Sequence, residues 1–154
     1  MTAIDRRSLL IGGGAGIGLV VAFAFWPREH GSAPVAGKDE QLFGHYLKIA
    51  TDGQVTVAVP QAETGQGIWT GLAQLAADEL GASWENVAVV PAPDSPAYAN
   101  AMLEGRVTAG STSIRAFHEP LRRAGATART MLVAAAAKRW NVEASECSAR
   151  DGAV

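Results

Sequence analysis

Two short stretches carry residue types and spacings that could do chemistry. The first is Glu63-Thr64-Gly65-Gln66-Gly67-Ile68-Trp69-Thr70, a tight glycine turn that opens directly into an apolar-periodic segment. Glycines on both sides of Gln66 let the backbone approach a ligand with no Cβ in the way. The first free N–H groups of a helix would face the same point, so the stretch reads as a loop aimed at an anion. A plain strand-to-helix turn uses the same glycine pair. The second stretch is Thr108-Ala109-Gly110-Ser111-Thr112-Ser113, with minimal side chains and many hydroxyls. It offers backbone N–H and side-chain O–H donors to phosphate-like oxygens, beside a helix start whose partial positive charge favours an anion by ~0.3–1 kcal/mol. Serine and threonine are equally apt as helix N-caps.

Composition excludes several other chemistries. Cys147 is the single cysteine, which rules out an internal disulfide, an iron–sulfur cluster and a cysteine-rich zinc site within the chain. His30, His45 and His118 lie far apart without metal-ligand spacing. The formal charge of −2, from 13 Lys+Arg against 15 Asp+Glu, lacks the basic excess of a nucleic-acid binder. Small molecules or proteins are the expected partners. A length of 154 residues with 48% hydrophobic content gives one ordinary domain plus extras.

The elements that must position the two loops follow in chain order. Arg6-Arg7 precedes an uncharged apolar run to Trp26, which as a helix from Ser8 would reach about 28 Å, enough for a signal or an anchor. Its glycines dilute hydrophobicity, and the paired arginine resembles a twin-arginine export signal with Leu9 in place of the usual phenylalanine. The same glycines miss the strict dinucleotide-binding spacing and follow no strand. Residues 1–27 are therefore read as a signal or N-terminal membrane anchor, 28–41 as a linker, and 42–154 as the domain. Alternation over Tyr46–Ala50 and Gln54–Val59 around Asp52-Gly53 predicts a hairpin, ended by Pro60. Ile68, Leu72, Leu75, Ala76 and Leu80 recur at helical spacing before a Gly81 cap, and Val87–Val90 reads as a buried strand. Strand, helix and strand predict a crossover between parallel strands, with the Glu63–Gly67 loop at the carboxyl end of the first. A long connection from Pro91 to Val107 is expected to cover something or cross between layers. A helix follows from near Ile114 to Trp140, with Pro120 restricting its first turns and Asn141 as its stop. Arg115, Arg122 and Arg129 make a basic stripe, read as a solvated face. Glu146–Arg150 is a candidate strand and Asp151-Gly152 a hairpin turn with no return strand, so the chain is expected to be the front part of a longer polypeptide. The fold class is α+β: a strand hairpin, a βαβ unit and a long C-terminal helix.

Taken in this order, the Glu63–Ile68 loop, the helix ending Ala77-Asp78-Glu79-Leu80-Gly81, Val87–Val90 and Thr108–Ser113 resemble the molybdopterin-binding subunit of xanthine dehydrogenase and aldehyde oxidase family enzymes. The isoquinoline 1-oxidoreductase β branch is the most similar, also in its twin-arginine start and the Arg122-Arg123-Ala124-Gly125-Ala126 helix. The resemblance implies a partial molybdopterin-binding domain in which Gln66, Gly67, Ala109, Gly110, Ser111 and Ser113 bind the pyranopterin and phosphate of a molybdenum cofactor shared with residues outside this chain. Thr64 stands where methionine is common and Ala109 where this branch usually has glycine; neither change removes a donor. The implied activity is hydroxylation of an N-heteroaromatic or aldehyde carbon with water as oxygen source. Electrons would leave through clusters on an iron–sulfur small subunit, with a cytochrome as a further candidate acceptor. Glu63 is not the family's catalytic glutamate, which belongs to a motif near the far end of the full subunit. No catalytic or metal-ligating residue is therefore assigned here, and the portion is expected to be inactive alone, in the periplasm or on the periplasmic face of the inner membrane. The competing expectation is a non-catalytic exported or membrane-anchored binding module.

Overall fold

The computed structural model describes residues 34–154. The twin-arginine segment, with its signal-or-anchor reading, lies outside the described residues; among these, no helix is long and apolar enough to cross a membrane. Four strands form one sheet in the order β1 (Glu40–Phe43), β2 (Leu47–Ala50), β3 (Val55–Val59) and β4 (Val87–Pro91). The expected hairpin is β2–β3, antiparallel with Leu47 opposite Val57 and Ile49 opposite Val55. Asp52 sets its turn by accepting the Gln54 N–H at 3.0 Å. β3 and β4 run parallel, Val55 opposite Val87 and Val59 opposite Pro91, and α1 (Ile68–Leu80) connects them. The α+β arrangement is as expected from the sequence.

Strand β1 was not anticipated, and it starts inside the stretch read as linker. Its four residues, EQLF, show no alternation strong enough to stand out. Pairing with β2 makes the strand, Gln41 opposite Ile49 and Phe43 opposite Leu47, and an ion pair from Lys48 to Glu40 at 2.8 Å fastens its start.

Strand alternation decides what each sheet face buries. Leu47, Val55, Val57 and Val59 point to one face, where they meet Ile68, Leu72, Ala73 and Ala76 of α1 together with Phe117, Leu121 and Ala128 of α2 (Thr112–Trp140). Ala58 points to the other face, covered by the long connection after β4 through Ala92 and the fully buried Tyr98. The Tyr98 hydroxyl donates to the His45 carbonyl at 2.6 Å, and its ring meets Tyr46 edge-on at 5.7 Å. Burial, with a smaller contribution from Tyr46, pushes the Tyr98 hydroxyl up to about 12.

Both helix ends stop where the sequence indicates. Gly81 adopts φ 76° and closes α1 by donating to Ala77 and Asp78, while Ala82 also donates to Ala77. Asn141 takes φ 56° and donates to Ala137 at the end of α2. α2 starts at Thr112, two residues ahead of expectation, and runs through Pro120 unbroken. An interior proline costs ~3 kcal/mol; burial of Phe117 and Leu121 on either side of it supplies the opposing stabilisation. All three arginines of the stripe are exposed as expected, and Arg122 in addition reaches α1, donating through Nε to Glu79 at 2.7 Å. The candidate strand at Glu146–Arg150 is absent: a 3-10 turn spans Ala144–Glu146, and the following residues join no ladder apart from the Arg150–Ala153 bridge. The Asp151-Gly152 turn is present, but it hands the Gly152 N–H to the Gly81 carbonyl at 2.8 Å, directing the tail to the end of α1 instead of the sheet.

Candidate functional site

The two loops singled out in the sequence meet at the carboxyl end of β3, where α1 and α2 both begin. Gln61, the second residue after β3, is buried and ties both helices to the strand. Its Oε1 accepts the Ser113 hydroxyl at 2.7 Å and its backbone carbonyl accepts the Trp69 indole N–H at 2.8 Å. One residue further, the Ala62 N–H donates to the Thr108 hydroxyl oxygen at 2.9 Å, joining the first loop directly to the second. Beneath the second loop, fully buried Asn100 donates to Thr112 Oγ1 at 2.8 Å, and Thr112 passes its own proton to the Ala109 carbonyl at 2.8 Å.

Between the loops lies an open groove of about 470 Å³. Gln66, Ala109, Gly110, Ser111 and Ser113 all line it, with the hydroxyl residues Thr64 and Thr108 and the apolar Ile68 and Ile114. Gly67 is not among its walls; it sits next to Gln66 at the start of α1 with φ 76°, a left-handed conformation that favours glycine. Gly65, at φ 98°, does the same on the other side of Gln66. The Gln66 side chain folds back on its loop. Its Nε2 donates to the Ala62 carbonyl at 2.8 Å, and its Oε1 accepts from Thr64 N at 2.6 Å and Thr64 Oγ1 at 2.9 Å. One amide proton of Gln66 is left over, since a primary amide carries two.

The two helix starts differ in charge. At α1 the N–H groups expected to face an external anion are already bonded to a carboxylate of the same loop. Glu63 Oε1 accepts from Gly65 N at 2.7 Å and Gly67 N at 3.0 Å, and Oε2 accepts from Trp69 N at 3.1 Å. These donors, Trp69 foremost, hold the Glu63 carboxyl below its ordinary 4.5. At α2 the cap residue Ser111 makes no side-chain cap bond, and the first turn contains no acidic residue. Gly110 and Ser111 both take left-handed backbones there, φ 59° and 53°. For serine this conformation costs roughly 1–2 kcal/mol.

Sequence reasoning found the groove's walls but missed the residues that build it from behind. Gln61 and Asn100 follow no periodicity, and their roles arise from partners 52 and 12 residues away. Glu63 could have been found: an acidic residue just ahead of a helix start is an ordinary capping signal. Among the described residues no group of His, Cys, Asp or Glu could hold a metal ion.

Residues 12–154 match the model of the molybdopterin cofactor-binding domain, and the chain belongs to that family. Two curated relatives are similar along nearly its whole length. The isoquinoline 1-oxidoreductase subunit beta of Brevundimonas diminuta is 35% identical over 158 residues, covering 98% of this chain and 20% of that protein. The membrane-bound aldehyde dehydrogenase (pyrroloquinoline-quinone) of Gluconacetobacter polyoxogenes is 30% identical over 153 residues, covering 95% of this chain and 19% of that protein. The chain thus spans about one-fifth of the length of these relatives. It is a molybdopterin-binding domain of the kind found in molybdenum-containing oxidoreductases, and its cofactor is molybdenum–molybdopterin.

The groove fits such a group by its donor set. Its walls combine an amide, four hydroxyl-bearing side chains and no charged residue; Thr64 and Ser113 donate within the protein while Thr108 only accepts there, and an uncapped helix start borders the groove. Phosphate oxygens and the hydrogen-bonding edge of a pterin can both be met by directional donors of this kind. Small residues at 109–111 let a ligand reach the backbone; beside a Cβ added to Gly110 the nearest atom is Thr112 Cγ2 at 3.8 Å, so the space there is open.

Proposed function

We propose that this chain is the N-terminal portion of a molybdenum hydroxylase large subunit that hydroxylates an N-heteroaromatic or aldehyde substrate with oxygen from water. The supporting observation is the convergence of the Gln66 and Ser111 loops, from opposite sides, on one uncharged, donor-lined groove. In this reading the start of α2, open and free of acidic residues, receives the cofactor's phosphate, while Gln66 meets the pterin with its remaining amide proton. Ser113, committed to Gln61, acts by holding the α2 start against the strand. Ala109 and Gly110 admit close approach, and Gly67 gives Gln66 its backbone conformation. When bound, the cofactor supplies the two-electron redox chemistry; the residues of this chain bind and orient it.

The portion contributes one wall of the site and is inactive alone. The rest of the large subunit closes the site, and an iron–sulfur small subunit takes up the electrons, with a cytochrome beyond it. Export through the twin-arginine start places the assembly in the periplasm or on the periplasmic face of the inner membrane. The complete subunit with its small subunit, given substrate in ¹⁸O-labelled water, is expected to place the label in the hydroxylated product. Unlabelled hydroxylated product, its oxygen drawn from dioxygen, would overturn the water-derived chemistry, and no turnover by a molybdenum-loaded assembly across both substrate classes would overturn the reading in favour of a non-catalytic binding module.

A further inference from the structure

We propose that Glu63 is a positioning residue that holds Gln66 in its cofactor-facing conformation by supplying the backbone N–H groups of the turn and the start of α1 with a built-in acceptor. The inference rests on the cofactor reading of the groove given above. Gly65 and Gly67 are the two residues flanking Gln66, and their N–H groups converge on one oxygen, Glu63 Oε1, at 2.7 and 3.0 Å. The Thr64–Gly65 peptide plane, one residue before Gln66, and the Gln66–Gly67 plane directly after it are thereby clamped to a single point. The other oxygen, Oε2, reaches Trp69 N inside α1 at 3.1 Å, which anchors that point to the helix. Gly65 and Gly67 are both left-handed, and free glycines pass readily between positive and negative φ. Without a fixed acceptor the turn would lose the constraint that selects this one conformation.

Two consequences follow for ligand binding. The carboxylate takes up the Gly67 and Trp69 donors at the start of α1 and offsets its partial positive charge, so an incoming phosphate is directed to the start of α2. In addition, Gln66 is held ready before the ligand arrives: its bonds to Ala62 and Thr64 form only when the turn brings residue 66 back over residue 62. Ala62 itself is bonded to Thr108, so the clamp on Glu63 also keeps the first loop in register with the second.

A double-mutant cycle in the complete subunit tests this, with molybdenum and pterin per polypeptide as the readout. Gln66→Ala and Glu63→Ala should each lower occupancy by a similar factor, about tenfold for one lost charge-assisted contact. The double variant should lose no more than either single one, because Glu63 acts through Gln66. Glu63→Gln keeps an acceptor at the position of Oε1 and should recover much of the loss, which also guards against misfolding of the alanine variant. Losses that multiply in the double variant, or full occupancy in Glu63→Ala when Gln66→Ala is depleted, would overturn the role of Glu63. Full occupancy in Gln66→Ala would instead overturn the cofactor reading itself.

Discussion

Gly125→Ala in α2 offers a sharp test of how the two helices that carry the site are held together. A Cβ built at Gly125 would stand 2.3 Å from the Ala76 carbonyl oxygen, 3.1 Å from its carbon and 3.0 Å from Glu79 Cβ. The first two are backbone atoms in the middle of α1, so no rotamer change relieves the clash. The helices must separate by about 1 Å to restore ordinary contact, loosening Ala76, Leu121 and Ala128, all fully buried. Overpacking of this kind costs typically ~1–3 kcal/mol. Against it stands the ~1 kcal/mol by which alanine exceeds glycine within a helix. The net expectation is a loss of roughly 0–2 kcal/mol, or up to several degrees in Tm for a domain of this size. Gly71→Ala in α1 is the internal control, since its Cβ would meet only the Ile114 side-chain tip at 3.6 Å. It should gain roughly 0.5–1 kcal/mol from propensity alone. Urea unfolding followed by tryptophan fluorescence measures both. If Gly125→Ala stabilises as Gly71→Ala does, the close crossing of α1 on α2 is wrong.

Further expected outcomes concern the loop and the second face of the sheet. The Glu63 carboxyl is depressed in the folded chain, so its contribution to loop order is present above its ordinary 4.5 and lost as pH falls through the folded value. Amide exchange at Gly65 and Gly67 should therefore accelerate, beyond the intrinsic pH effect, only below about pH 4.5, and Glu63→Gln should abolish that acid step. Tyr98→Phe removes one part-buried hydrogen bond and should cost ~0.5–1.5 kcal/mol, whereas Tyr98→Ala empties a fully buried site and should cost ~3–5 kcal/mol. Arg122→Ala breaks a half-exposed pair with Glu79 and should change stability by less than ~1 kcal/mol.

Local signals made most of the fold legible. The Asp52-Gly53 turn, the stripe from Ile68 to Leu80 and the caps at Gly81 and Asn141 each act within a few residues, and each is present as read. Two elements were misjudged because their outcome is set by distant partners. β1 is a strand by virtue of β2, and Glu146–Arg150 stays out of the sheet because the Gly152 N–H is taken by Gly81. The same division holds at the site. Glycines and small hydroxyl residues announced both loops, and five of the six residues assigned to cofactor binding line a single groove. Which donors remain free was not legible from residue types. It required seeing that Glu63 fills the start of α1 and that Ser113 is spent on Gln61.

The most direct measurement of the central claim is the molybdenum and pterin content of the complete subunit carrying Gln66→Ala together with Ser111→Ala. A correctly folded subunit with both contents reduced in parallel is the expected result, because the two substitutions remove donors from the two loops that line one groove. Undiminished molybdenum and pterin in that double variant would contradict it.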